Sequence, residues 1–250
     1  MFHGLVAAHI AAGSVGAVAF WVPVVGRKGG MQHKRWGRVF TVSVLVTGAL
    51  AVAMSLLTLA DPLGTHPHLA GRFDDSFIRG IFGWMMLHVG ILTINLTWYG
   101  WLCVKNRSAI TANRTVLNVA LQYAVIVAAL NCAWQGWRIG EPLMMAIAVV
   151  GVATGGTNLA FLYARRHKPM DWLKEHIKSI VGAGISVYTA FLAFGSVRLF
   201  PSLALNPVMW AIPLIIGMGI LLYHRRVVDL QRRARGVPAE RARAASVIAD

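Results

Sequence analysis

The chain has 250 residues, 57% of them hydrophobic and 13% charged, with a formal net charge of +15. A soluble domain carries about 25% charged residues, so the composition excludes an ordinary soluble fold and points to one membrane domain. The positive charge does not indicate nucleic acid, because the basic residues bracket apolar segments and form no stripe interleaved with aromatic residues.

A helix needs about 20 apolar residues to cross roughly 30 Å of hydrocarbon. The hydropathy pattern predicts spans over 3–25, 38–60, 78–104, 116–137, 142–164, 172–195 and 206–224. These lengths favour helices, since a barrel would show alternating strands of about 10 residues. The expected class is an all-α polytopic bundle of seven transmembrane helices over 1–224, followed by a basic cytoplasmic tail at 225–250. The opening MFHGLVAAHIAAG has no basic n-region and no clear small-x-small cleavage site, so an uncleaved first span is expected.

Of the 24 Lys and Arg residues, all but Arg72, Arg79, Arg138 and Arg198 fall in connections that alternate to one face. The other face balances those four against Asp61, Asp74, Asp75 and Glu141. Basic loops face the cytoplasm, which predicts N-terminus outside, C-terminus inside and an odd number of spans in a bacterial cytoplasmic membrane. The basic face suits anionic lipid headgroups. Trp21, Trp84, Trp98, Trp101, Trp134, Trp137, Trp172 and Trp210 lie mostly near predicted span ends, as an interfacial belt does.

Cys103 and Cys132 fall near opposite ends of the third and fourth spans. Their levels differ by roughly 25 Å. A disulfide needs Cα atoms within about 7 Å, so none is expected.

No H-E-x-x-H helix, P-loop, G-x-G-x-x-G turn or G-x-S-x-G elbow occurs, and no span carries a carboxylate at mid-depth. No catalytic residue is assigned. The chemistry rests on histidine. In chain order, His9 lies roughly 10–12 Å into the first span and heads the stripe Gly13, Gly16, Phe20. His33 and Arg35 belong to the glycine-led inner connection GRKGGMQHKRWGRVF, whose arginines suit an anionic headgroup or a haem propionate. His66 and His68, followed by Asp74 and Asp75, form a weak outer metal pattern for copper or zinc. His88 falls near the midplane, where an ionisable group marks a functional site by default. His176 heads a second small-residue stripe, Ser179, Ala183, Ser186 and Ala190.

Two layers are expected: His9 with His88 in the outer half, and His176 with His33 or His224 near the inner face. Histidines projecting from facing helices hold haem or metal in bundles. Without a C-x-x-C-H motif any haem would be non-covalent. The leading expectation is a redox protein binding b-type haem or copper. A carrier or lipid-handling protein with a polar cavity lined by the histidines together with Asn95, Asn118, Gln122 and Asn158 is the alternative, and a structural or assembly subunit is a third.

The segment His33-Lys34-Arg35-Trp36-Gly37-Arg38-Val39-Phe40, with His9 before it and His176 and Tyr188-Thr189-Ala190-Phe191 after it, resembles the bacterial multi-pass proteins labelled domain of unknown function 2306. Phe40 and Lys34 stand where that family often has tyrosine and arginine. The histidine placement is similar, more distantly, to cytochrome b561-type membrane proteins. That likeness implies two b haems in stacked layers, although the core of that type has four or six spans.

Overall fold

A computed structural model describes residues 2–195 and 206–249, with side chains described as far as Ala234. Arg198, and the side chains of Arg235, Arg241 and Arg243, lie outside the described residues. The described chain is helical throughout, without a strand. Seven helices are long and apolar enough to cross a membrane: α1 (Phe2–Val25), α2 (Met31–Ala60), α3 (Asp75–Lys105), α4 (Val116–Ile139), α5 (Pro142–Leu162), α6 (Asp171–Gly195) and α7 (Pro207–Ala249).

Two helices overrun their apolar spans. α2 begins at Met31, so that His33, Lys34, Arg35 and Arg38 stand on helical turns before the hydrocarbon starts. α7 continues past Tyr223 through the basic segment as one helix. Hydropathy marks the thickness of hydrocarbon crossed and not the length of the helix, which the Arg, Ala, Glu and Gln residues of the tail prolong in water. The turn before α2 is made by Gly29 in a left-handed conformation, φ 73°.

α3 is the central helix. Half of its most apolar window is buried, against 33% for the next most buried helix. It packs on α2, α4 and α6, while α1 pairs with α2, α4 with α5, and α7 with α6. Antiparallel contacts fix which connections share an end. Gly13 approaches Phe191, and Gly184 approaches Phe20. Lys174 pairs with Asp229, and the Arg114 guanidinium donates to the Leu162 carbonyl. The connections after α1, α3 and α5 therefore lie at the same end of the bundle as the C-terminal half of α7, and this is the basic end.

Two π-helical segments face each other at the opposite end, Arg79–Met85 within α3 and Phe191–Gly195 closing α6. Their Phe82 and Phe194 rings lie 6.2 Å apart. Cys103 and Cys132 are free, buried and in different core clusters.

Candidate functional site

The basic end gathers titratable side chains from three helices and from the turn between α1 and α2. His33, on the first turn of α2, places Nδ1 3.3 Å from the Pro23 carbonyl at the end of α1. The Lys28 ammonium donates to the carbonyls of Pro23 and Val24, capping the same helix end. His176, on α6, places Nδ1 2.9 Å from the Gly100 carbonyl of α3. His33 on α2, His176 on α6 and His224 on α7 stand at the same end of the bundle as Lys28. Arg35 is exposed two residues beyond His33.

A carbonyl oxygen only accepts, so Nδ1 carries the proton in both rings and the Nε2 lone pair is left over. His9 has the same arrangement, with Nδ1 3.0 Å from the Thr47 carbonyl of α2. Three of the sequence-selected histidines are thus held in the tautomer that a metal-ligating imidazole uses, with the other ring nitrogen fixed by a main-chain acceptor.

The expected outer pair does not form in this way. His9 leans on α2, whereas His88 turns its ring towards α5. A Cβ on Gly151 would stand 2.8 Å from His88 Nε2 and 2.9 Å from the Ala129 side chain of α4. α3 meets α2 through Gly90, which lies against Val52 and Ala51. His88 is two residues from Gly90, about 200° around the helix, and so faces the other way. The ring is fully buried, and neither nitrogen makes a hydrogen bond.

The small-residue stripes also resolve into helix contacts. Gly16 abuts Val44 and Ser43 of α2. Ser186 hydrogen-bonds Thr93 of α3 at 2.5 Å, and Ser179 lies against Gly100. These stripes let helices approach closely.

In the turn between α2 and α3, the His66 and His68 rings lie 5.9 Å apart. The carboxylates expected to join them are otherwise engaged. Asp74 accepts from Ser76 Oγ at 2.5 Å and from the Phe77 N–H, and Asp75 pairs with Arg79 at 3.5 Å. The His66 ring lies against Phe82, 4.4 Å between centroids and tilted by 34°. Burial, then the neighbouring His68, pushes its pKa down to about 4. Among the described residues no three His, Cys, Asp or Glu side chains converge as metal ligands. A copper or zinc centre with three such ligands therefore has no ligand set there.

The four amides named from sequence do come together, as a hydrogen-bonded chain. Asn158 Nδ2 donates to Gln122 Oε1 at 2.9 Å and to Asn95 Oδ1 at 3.3 Å. Gln122 Nε2 donates to the Asn118 side chain at 3.3 Å. Asn118 continues to the Asn113 carbonyl at 2.7 Å, and Asn106 bonds the Asn113 side chain at 2.6 Å. Asn95, Asn118, Gln122 and Asn158 are all 0% exposed. Asn95 Nδ2 and Asn158 Oδ1 remain without partners.

Beside this chain lies a trio that the sequence reading did not single out. Tyr99 Oη donates to Glu175 Oε2 at 3.2 Å, and Lys178 Nζ pairs with the same oxygen at 2.5 Å. The signal was available: Asn95, Tyr99 and Cys103 fall at i, i+4 and i+8 on one face of α3, and Glu175 and Lys178 at i, i+3 on α6.

No family model, curated protein or solved structure matches the chain. Its assignment therefore stops at a multi-pass membrane protein built of seven apolar helices.

Proposed function

We propose that this membrane protein transfers electrons through a b-type haem held at the basic end by Nε2 of His33 and His176; Arg35, two residues from His33 and so about 200° around α2, faces away from it. The observation that carries the reading is the fixed tautomer of two histidines at the same end of the bundle, each with Nδ1 committed to a main-chain carbonyl. Axial ligation of b-type haem needs two imidazole nitrogens and no third protein ligand, so the missing metal triad does not bear on it. The donor set fits: Nδ1–H is committed to a carbonyl in both rings, and Nε2 is the lone-pair nitrogen. Bound haem would supply one-electron chemistry. The chain's own part is to hold the rings through Pro23 and Gly100 and to neutralise negative charge with its basic residues. His9 offers a matching nitrogen nearer the opposite end, but His88 is not its partner.

By the charge rule, the basic end faces the cytoplasm of a bacterial inner membrane and the N-terminus faces out. Iron analysis and a pyridine haemochrome assay of the purified protein test the function. Haem near one per chain is expected, and its absence from protein made in haem-replete cells would overturn the reading.

The amide chain supports a second reading, a carrier for a small polar solute. It rests on the two unpartnered amide atoms at the Asn95–Asn158 end of the network. Protein without a chromophore that is thermally stabilised by a polar solute would favour it.

A further inference from the structure

Between α1, α6 and α7 runs a groove with an empty volume of about 430 Å³, including the part open to its surroundings. Phe20, Trp21, Tyr188, Leu192, Ile216 and Ile220 line it. Its polar atoms are already satisfied. Trp21 Nε1 donates to Tyr188 Oη at 2.6 Å, and Tyr188 Oη donates to the Ala17 carbonyl at 2.8 Å. A wall with no free hydrogen-bonding group selects hydrocarbon, because a polar occupant would lose its partners.

The groove points at positive charge. His224 lies one turn beyond Ile220 on the same face of α7. Lys28, exposed at the end of α1, lies within electrostatic range of His224. Lys28 Nζ uses two of its three N–H groups on the Pro23 and Val24 carbonyls, leaving one. The carboxylate that follows on α7, Asp229, is already paired with Lys174. An apolar slot that ends at an uncompensated ammonium and an imidazole matches a molecule with a hydrocarbon chain and an anionic head.

We propose that this groove binds one anionic phospholipid, its acyl chain along Ile216 and Ile220 and its phosphate at Lys28 and His224. Partial burial lowers the Lys28 pKa, and a phosphate beside the ammonium reverses that effect. The site does not depend on haem, since neither His33 nor His176 takes part.

The test uses the full chain in mild detergent, titrated with phosphatidylglycerol or phosphatidylcholine of the same acyl chains. Thermal stability and native mass spectrometry are the readouts. Phosphatidylglycerol should stay bound at about one per chain and raise the melting temperature more than phosphatidylcholine does. Ile216→Trp plugs the groove at an exposed position without altering charge and should abolish retention. Lys28→Ala should weaken the preference for phosphatidylglycerol by about fivefold, and His224→Ala, which removes an imidazole hydrogen-bonding group and no full charge, should weaken it less. Arg165→Ala with Arg166→Ala, on the connection after α5, should leave it unchanged. Equal retention of the two lipids, retention that survives Ile216→Trp, or an equal loss in the Arg165/Arg166 variant would overturn the proposal. The last result would mean a diffuse basic surface only.

Discussion

The His176 imidazole of α6 reaches the main-chain carbonyl of Gly100 in α3, 2.9 Å from Nδ1. The helices meet closely because position 100 has no side chain. A Cβ there would stand 2.9 Å from the Ile180 side chain and 3.1 Å from that of Ser179. The same glycine thus brings the helices together and exposes the carbonyl that orients the ring.

Gly100→Ala should therefore separate α3 from α6 and release His176 together. Overpacking of this kind costs roughly 1–3 kcal/mol. Thermal unfolding in detergent should show the loss, and haem content should fall with it. Unchanged stability would mean that the helices adjust without strain.

Gly151 and His88 form a second matched pair. Gly151→Ala alone should destabilise by about 1–3 kcal/mol, because the added methyl meets the buried ring. Combining it with His88→Ala should recover part of that loss. Additive losses in the double variant would show that the two positions are not coupled.

The amide chain gives a third expectation. Asn158→Leu leaves Asn95 Oδ1 and Gln122 Oε1 without their donor. Hydrogen bonds between membrane helices average about 0.6 kcal/mol, and an orphaned buried acceptor adds about 1–3 kcal/mol. Gln122→Leu added to Asn158→Leu should cost less than the sum of the two, as measured by unfolding.

The turn between α2 and α3 should respond to acid. The His66 pKa lies at about 4, below its ordinary 6.5, so the folded turn binds fewer protons than the unfolded one. Its contribution is complete above about 6.5 and is lost as pH falls towards 4. Hydrogen-exchange protection at residues 61–74, corrected for the intrinsic rate at each pH, should fall between pH 7 and pH 4.5, and His66→Phe should flatten that dependence.

The seven spans were legible because hydrocarbon thickness imposes a length that hydropathy reports directly. The charge alternation likewise located the basic end, where His33, His176, His224 and Lys28 meet. The four amides could be singled out because polar groups in apolar helices stand out in any sequence. Helix rotation was not legible. His9 and His88 suit one layer by depth, but α3 turns Gly90 towards α2 and His88 towards Gly151. The stripes below His9 and above His176 read equally as room for a flat group or for a helix. Val44 and Thr93 fill them. Polar residues prolong a helix without raising its hydropathy, so the span limits at 38 and 224 do not mark the ends of α2 and α7, and the tail's extension of the seventh helix was one of two readings the sequence left open.

Reduced-minus-oxidised absorption spectroscopy of the purified wild-type chain, beside His33→Ala and His176→Ala, bears most directly on the inner histidine pair. A Soret shift and a visible α band are expected in the wild type, lost or strongly altered in either variant and unchanged in His68→Ala. A featureless wild-type spectrum, or a haem spectrum indifferent to both substitutions, would contradict the assignment of His33 and His176 as haem ligands.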